Sequence, residues 1–188
     1  MQAQFFRYGF GLRCIEAIRG MDSIAEPHCE GYSFVEIVKT DVILLREMRI
    51  MLKTHLSESP CFMFSSPEET EIWLNRAENR DSRLFCAMLV DKPIAFIEVL
   101  NYGEPFASEA DGMRSICGAF CLHEYRGKGV MQNLLTYVIS KLNIEGYKSL
   151  YVDFESINPT AYGFWLKYFD AYTHSVVRRI DEHVITRK

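Results

Sequence analysis

The sequence predicts an α/β layer fold. From residue 32 onward, short apolar segments with strand patterning alternate with segments of helical periodicity, in the order strand, two helices, strand hairpin, strand, helix, strand, helix, strand. The chain has 188 residues, 48% of them hydrophobic, which is enough to bury one sizeable core. The central strand, helix and strand are expected to form a right-handed, nearly parallel crossover.

The first part of this order is a strand followed by two helices. Residues 32–38 alternate between apolar and polar side chains, as a half-buried strand does. Thr40 and Asp41 can cap a helix with one apolar stripe, predicted to comprise Leu44, Leu45, Met48, Met51, Leu52 and His55. The segment 66–69 is a capping box with proline at the first helical position, and it predicts the second helix.

The central part contains a hairpin, a loop, a strand and a helix. Residues 83–90 and 93–100 are apolar runs joined by a short turn, as in a strand hairpin. Residues 101–112 are polar and interrupted by glycine and proline, which predicts a loop long enough to be functional. Residues 113–122 predict the next strand, and residues 131–145 carry apolar side chains at helical spacing.

The last part is predicted to be a strand, a short helix and a final strand. The segment SLYVDFE (149–155) has strand composition, residues 159–168 form the helix, and SVVRRIDEHVI (175–185) the last strand. This completes a single layered domain.

Composition excludes several classes of function. The net charge of −4 argues against a general nucleic-acid or anionic-membrane binder, because such proteins need a surplus of Lys and Arg. No apolar run has the length of a membrane span, and the N-terminus lacks the order of a signal peptide, so we predict a cytoplasmic protein. The six cysteines contain no CxxC motif and are expected to be free thiols, and no metal site is predicted.

The segment HEYRGKGVMQNLL (123–135) places two glycines and two cations before a helix. The first amides of a helix lack intrahelical partners and the helix dipole makes that end positive, so Gly127 and Gly129 could bring these amides against a phosphate. Arg126 and Lys128 add charge. A solvent-facing turn is an equally simple interpretation. The patterns GxxxxGK[ST] and GxGxxG are both absent here.

The segment Arg126–Val130 resembles the acyl-CoA loop of the GNAT superfamily of N-acyltransferases, whose pattern is Q/R-x-x-G-x-G/A. Asn158–Ala161 resembles the family's N-P-x-A motif, and the element order agrees over residues 32–188. The resemblance implies a GNAT-like mixed, mostly antiparallel central sheet with helices on both faces. It also implies binding of acetyl-CoA.

The resemblance assigns the cofactor-binding residues. The pyrophosphate amides would be those of Arg126, Gly127, Lys128, Gly129, Val130 and Met131. The strand backbone of Phe120, Cys121 and Leu122 would face the pantetheine arm, and Asn158 would lie beside that arm. By the same analogy, the amide of Cys121 or Leu122 would form the oxyanion hole. Met131 departs from the pattern, which has Gly or Ala there.

The catalytic residues are less clearly marked. GNAT enzymes commonly place a tyrosine on the helix after Asn158 to protonate the leaving thiolate, but Phe164 or Trp165 stands at the matching place here. Tyr168, and after it Tyr162, are the candidate replacements, although both could simply belong to an aromatic packing face. Glu98 is the candidate general base if it faces the cleft among apolar neighbours, and is otherwise a solvated strand residue.

Two further carboxylates could attract the acceptor amine by their charge instead of accepting its proton. Asp153 and Glu155 alternate with apolar residues beside the expected cleft. There they could attract a cationic amine.

The N-terminal segment resembles the C-terminal one. Phe5, Phe6 and Phe10 match Phe164, Trp165 and Phe169 at a constant offset, so a unit of helix and strand occurs twice. We therefore predict three parts: residues 1–22 as an N-terminal arm left from a preceding GNAT-like domain, 23–31 as a linker, and 32–188 as the acyltransferase domain. An ordinary arm with chance similarity is the alternative. The arm's phenylalanines need cover, from this domain or from a second copy in a homodimer.

The sequence therefore favours an N-acyltransferase that moves an acetyl or other short acyl group from acetyl-CoA to a primary amine. The predicted partners are an acyl-CoA and an amine acceptor, with no nucleic acid and no membrane. A second hypothesis is a CoA-binding regulatory domain that lacks the proton-donating tyrosine. A third is an interaction module of a larger tandem protein.

Overall fold

A computed structural model describes residues 2–25, 30–79, 82–103 and 110–180. Within these residues the strands are β1 (Gly11–Gly20), β2 (Ser33–Ile37), β3 (Arg83–Leu89), β4 (Lys92–Leu100), β5 (Met113–Cys121), β6 (Ser149–Glu155) and β7 (Asp170–Val177). The helices are α1 (Gln2–Arg7), α2 (Arg46–Ser57), α3 (Glu68–Asn79), α4 (Val130–Ile144) and α5 (Pro159–Trp165), with 3₁₀ segments at Lys39–Leu45 and His123–Tyr125.

The strands form one sheet in the order β2-β3-β4-β5-β6-β1-β7. Every neighbouring pair is antiparallel except β5 and β6, which are parallel and joined through α4. The predicted mixed, mostly antiparallel sheet is thus confirmed. A parallel neighbour requires a crossover connection, and α4 supplies it.

Helices cover both faces of the sheet. Phe96 packs against Trp73 of α3, while Phe85, whose cross-strand partner is Ile97, packs against Tyr137 of α4. Because Phe96 and Ile97 are consecutive strand residues, their side chains point to opposite faces. The helices α3 and α4 therefore lie on opposite sides of the sheet.

Strand β1 lies inside the sheet, between β6 and β7. It pairs antiparallel with both strands, and its central residues Ile15 and Ala17 are buried in the common core. Residues 1–22 are predicted from the sequence to form an N-terminal arm. In the structure, residues 11–20 of this segment form an interior strand of the domain's sheet. The origin of the segment in a preceding domain stays a prediction.

The two helix–strand units repeat each other in three dimensions. In the repeat seen in the sequence, Gly11 is equivalent to Asp170, and each is the first residue of its strand. In the same repeat, Ile18 is equivalent to Val177. Gly11 pairs with Val177 across the two strands, and Ile18 pairs with Asp170. Each pair is thus converted into the other when equivalent residues are exchanged. The units α1–β1 and α5–β7 are therefore related by an approximate twofold axis between β1 and β7.

Two predicted features are wrong in detail. In the first helical region the buried residues are Val42, Leu45, Met48 and Leu52, whereas Leu44 and Met51 are exposed. The helix begins as a 3₁₀ segment, whose three residues per turn shift the apolar stripe. The last strand covers Asp170–Val177 instead of 175–185, because pairing with β1 starts directly after α5. Residues 181–185 lie outside the described part.

Among the described residues, no helix combines the length and apolar character needed to cross a membrane.

Candidate active site

A cleft opens where the two parallel strands separate. The β5–β6 pairing ends at Ile116 and Val152, so the last residues of both strands have no partner across this gap. The register of β5 against β4 also shifts after Ile116, which leaves Cys117 in a bulge. The resulting cavity of about 440 Å³ is lined by α2, the end of β5, residues 125–127 and 129–132, and α5 with the turn after it. The sheet thus presents strand backbone to an open pocket.

The glycine-containing loop forms one wall of this cleft. Gly127 and Gly129 have φ values of 72° and 80°, in the left-handed region that other residues rarely adopt. Gly129 is the residue before α4, and the first helical bond runs from the Asn133 amide to the Gly129 carbonyl at 3.0 Å. The amides of residues 130–132 precede that bond and so lack an intrahelical acceptor. The loop therefore has the conformation and the donors of an anion site.

Cationic side chains flank the same loop. Arg126 donates from Nε to the Cys121 carbonyl at 3.0 Å, and its guanidinium lies 5.5 Å from the centre of the Phe120 ring. The Lys128 ammonium lies 5.6 Å from the centre of the Tyr125 ring. Met131, which departs from the family pattern, lines the cleft and packs on the core. Its side chain thus takes part in the wall instead of turning away.

The hydrogen bonding at the end of β5 distinguishes between the Cys121 and Leu122 amides as candidate donors for the oxyanion hole. The Leu122 amide donates to the Ile94 carbonyl of the neighbouring β4 segment at 3.0 Å. Because consecutive strand amides point to opposite edges, the Cys121 amide points towards the side where β6 has separated. Of the two, only Cys121 can donate to a ligand in the cleft without losing a sheet bond.

Asn158 lies at the start of α5 and lines the cleft. Its side-chain oxygen accepts from the amides of Thr160 and Ala161, both at 3.2 Å, and from the Thr160 hydroxyl at 2.7 Å. Asn158 is thus an N-cap residue that fixes the direction of α5. Its position beside the cleft agrees with the sequence prediction.

Three aromatic residues of α5 and its C-terminal turn differ in their surroundings. Tyr168 lines the cleft, and its hydroxyl oxygen accepts a hydrogen bond from the Gln132 side chain. Tyr162 is 46% exposed and packs against Phe154, outside the cleft lining. Trp165 is only 6% exposed and packs against Phe169. Of the two tyrosines proposed from the sequence, only Tyr168 faces the cleft.

Glu98 lies in the interior beside the cleft. One carboxylate oxygen accepts from Trp73 Nε1 and the other from the Ser82 hydroxyl, both at 2.8 Å. Glu98 thus fits neither alternative from the sequence: it is buried, and polar donors hold its carboxylate. A Cβ atom on Gly118 would lie 3.3 Å from Glu98 Oε2 and 3.4 Å from an Arg49 nitrogen. The carboxylate thus lies directly against bare backbone of β5.

A row of carboxylates crosses β6 and β1 on the same face of the sheet. Asp153 pairs with Glu16, and Glu155 pairs with Cys14 and forms an ion pair with Arg13 at 3.3 Å. Burial, followed by the charges of Asp153 and Glu155, raises the pKa of the Cys14 thiol to about 11. The strand β1 therefore adds a buried carboxylate, Glu16, to the two that the sequence suggested.

The Cys121 thiol beside the cleft is protonated at neutral pH. Burial raises the pKa of Cys121 to about 11, and the Arg126 charge only partly opposes this rise. A protonated thiol is a poor nucleophile. In the part of the chain that the structure describes, no group of three or more His, Cys, Asp or Glu residues could hold a metal ion.

Sequence reasoning missed three residues near the site. Gln132, Arg49 and Glu16 were not among the residues that the sequence indicated for the site. A carboxylate within the apolar run CIEAI was a visible signal for Glu16. Arg49 had no such signal, because its position depends on how α2 packs against β5.

Comparison with known proteins identifies the family. The family model described as "Acetyltransferase (GNAT) family" matches residues 50–170, which include β5, the glycine-containing loop, α4 and α5. The chain belongs to the GNAT acetyltransferase family. The match covers every wall of the cleft. Among curated proteins, none matches the chain.

Solved structures show the same GNAT fold. A ribosomal-protein-alanine N-acetyltransferase from Brucella melitensis has a TM-score of 0.58 and 13% identity, covering 80% of this chain and 99% of its own. AAC(6')-Iy in complex with a CoA-containing bisubstrate analog has a TM-score of 0.54 and 16% identity, with 80% and 99% covered.

A functionally unknown protein from Staphylococcus epidermidis has a TM-score of 0.56 and 9% identity, with 93% of this chain covered. The present chain spans 65% of that protein's length. At these identities the likeness concerns the fold alone.

Proposed function

We propose that this GNAT protein transfers an acetyl or other short acyl group from acyl-CoA to a primary amine. The observation that carries the proposal is the left-handed conformation of Gly127 and Gly129 at a cleft wall, next to helix amides that lack intrahelical acceptors. A diphosphate is the ligand that such a wall suits best. Membership of the acetyltransferase family supports the reaction class.

The residues of the cleft fit a bound acyl-CoA. The loop from Arg126 to Met131 would hold the diphosphate, with Lys128 adding charge. Phe120, Cys121 and Asn158 would flank the pantetheine arm, because they line the cleft at the separated strands. When bound, acyl-CoA supplies the thioester that the amine attacks.

The chain's own residues can then assist the transfer. The Cys121 amide can donate to a developing oxyanion, which typically accelerates such reactions by about 10²–10³-fold. Tyr168 can give its hydroxyl proton to the leaving sulfur, because Gln132 donates to the hydroxyl oxygen and leaves the hydrogen available. Glu98, which lines the neighbouring cavity instead of the cleft itself, is the candidate to accept a proton from the amine, directly or through water.

The phosphate-loop assignment is tested by Gly129→Val. A β-branched residue disfavours the φ of 80° and so displaces the amides from the cleft, which should weaken acetyl-CoA binding. Gly146→Val is the matched control, because Gly146 has a φ of 89° and lies outside the cleft lining, in a place where an added Cβ would meet nothing within 4 Å. Calorimetry should show weaker binding only for Gly129→Val. Equal dissociation constants for the wild type and Gly129→Val would overturn the assignment.

A second candidate function is a CoA-binding regulatory domain. The observation that favours it is that Phe164 or Trp165, neither of which has a proton to donate to a thiolate, stands where the family commonly has its tyrosine. Release of free thiol from acetyl-CoA in the presence of an amine panel distinguishes the two. Binding without thiol release on any amine supports the regulatory domain, whereas amine-dependent release supports the acyltransferase.

A further inference from the structure

A second cavity of about 300 Å³ lies beside the cleft, between α2, α3, β4 and β5. Its lining includes Arg49, Lys53, Glu69, Trp73, Glu98 and Cys117, and we call it the Arg49 pocket. The helix α2 and the strand β5 line both cavities. Leu52 and Ala119 line the cleft, whereas Arg49 and Cys117 line the pocket. The Arg49 pocket therefore adjoins the part of β5 where the thioester would lie.

Arg49 is a partly buried cation without a bonded anion. Its Nε atom is enclosed and has no hydrogen-bond partner, and no described residue forms an ion pair with it. Its guanidinium lies 4.9 Å from the centre of the Trp73 ring. Burial lowers the pKa of the guanidinium, and the nearby carboxylates of Glu98 and Glu69 only partly oppose this. Enclosing a charge in this way is costly unless an anion compensates it.

The carboxylates of the pocket are held by other donors. Glu69 forms an ion pair with Lys53 at 2.8 Å, and Glu98 accepts from Trp73 and Ser82. Arg76 contributes a third cation to the lining. The pocket thus contains three cations and two carboxylates, and the Arg49 guanidinium remains available to a ligand.

We propose that the Arg49 pocket binds a carboxylate carried by one of the two substrates. This inference rests on the proposed function, because it takes the reacting thioester to lie at β5. The carboxylate belongs either to an acceptor of amino-acid type or to the far end of a dicarboxylic acyl group on CoA. A planar guanidinium binds a carboxylate through two parallel hydrogen bonds, and the volume of the pocket suits a small ligand.

Cys117 provides a test that is independent of CoA. Its thiol is exposed and lines the pocket, so it can be alkylated by iodoacetate or by iodoacetamide. Iodoacetate carries a carboxylate, whereas iodoacetamide carries a neutral amide in the same place. In each reaction the thiol gives its proton to the buffer, the thiolate sulfur forms a bond to carbon, the carbon–iodine bond breaks and iodide leaves. Mass spectrometry of the Cys117 peptide gives the ratio of the two rates.

The ratio of iodoacetate to iodoacetamide labelling should fall by about tenfold in Arg49→Gln, because the anionic reagent loses its charged partner. Arg46→Gln is the matched control: Arg46 lies on the same helix, is exposed and bonds to Glu71 at the surface, so its ratio should stay as in the wild type. An unchanged ratio in folded Arg49→Gln overturns the proposal.

If Arg49→Gln does not fold, protection of Cys117 in the wild type decides the question. Alanine or succinate should slow labelling of Cys117 by iodoacetamide, whereas alaninamide should not. Equal effects of alanine, succinate and alaninamide overturn the proposal.

The rate of release of the free CoA thiol then shows whether the carboxylate belongs to the acceptor or to the acyl group. Faster turnover with alanine than with alaninamide supports an amino-acid acceptor, and faster turnover with succinyl-CoA than with acetyl-CoA supports a dicarboxylic donor. Turnover with no preference in either comparison overturns the assignment. Failure of acetyl-CoA to bind at all would instead contradict the proposed function, whatever the labelling of Cys117 shows.

Discussion

The side chain of Gln132, in the first turn of α4, donates a hydrogen bond to the hydroxyl oxygen of Tyr168, which follows α5. The bond links the helix after the glycine-containing loop to the aromatic wall on the other side of the cleft. It fixes the Tyr168 ring while leaving the hydroxyl hydrogen free to be donated. A ligand between these two elements would thus meet an oriented proton donor.

We expect Tyr168→Phe to lower kcat by about 10²-fold, which is typical for loss of a general acid. The ring remains, so acetyl-CoA binding should change little. Tyr162→Phe is the matched control, because Tyr162 lies on the preceding helix α5 but outside the cleft lining. Steady-state kinetics with the best acceptor measure both variants. Equal kcat values for Tyr168→Phe and the wild type would contradict the assignment.

Glu16→Gln should stabilise the protein by up to about 1 kcal/mol at neutral pH, because like charges directly opposite each other on paired strands repel. Glu16 is buried, one of its oxygens has no partner, and Asp153 stands opposite. If the carboxylate row also attracts a cationic amine, the KM for the amine should rise. Urea denaturation and kinetics measure the two effects, with exposed Glu47→Gln as the control. A less stable Glu16→Gln would contradict the predicted repulsion.

Stability should fall at alkaline pH because of buried thiols. Burial raises the pKa of Cys86 from 9.0 to about 12. Above pH 9 the unfolded chain loses this thiol proton while the native state keeps it, so the free energy of unfolding decreases as pH rises towards 12. The slope is up to about 1.4 kcal/mol per pH unit for each such thiol. Denaturation at a series of pH values should show a shallower slope for Cys86→Ala. Parallel slopes would argue against this origin.

Strand β1 should contribute to the core as much as any other interior strand. Ile15→Ala is expected to cost about 2–5 kcal/mol, since Ile15 is buried between β6 and β7. Leu12→Ala, on the same strand but 36% exposed, should cost clearly less. Urea denaturation of the two variants measures the difference. Small and equal costs would mean that residues 11–20 are a peripheral arm.

Much of the fold could be predicted because its elements carry local signals. The hairpin of β3 and β4, the helix α4 and the strand β6 follow from apolar periodicity and short turns, which depend on neighbouring residues only. The position of β1 could not be predicted in this way. Its repeat relation to β7 was visible in the sequence, but pairing with strands at least 129 residues away leaves no local pattern.

The candidate site was predictable to the extent that backbone conformation limits residue type. Gly127 and Gly129 indicated a loop that could bring the first amides of α4 against a ligand, and both glycines adopt left-handed backbone there. For Glu98 the sequence left open a place among apolar groups in the cleft or a solvated place on the strand, but Glu98 is buried and accepts from Trp73 and Ser82. A strand pattern predicts on which face of the sheet a side chain lies. It does not predict the neighbouring side chains on that face, because these come from distant segments of the chain.

Because β1 precedes the other described strands in the chain and its partners β6 and β7 follow them, β1 must stay unpaired on the ribosome while the intervening strands are made. Until β6 and β7 are available, its apolar residues have only transient cover, and the sheet cannot close around them. Pairing across so long a stretch of chain is slow to nucleate. A folding intermediate with β2–β5 and α4 assembled and both ends still open is the expected consequence, and its exposed strand edges would be the most aggregation-prone surface that this protein presents.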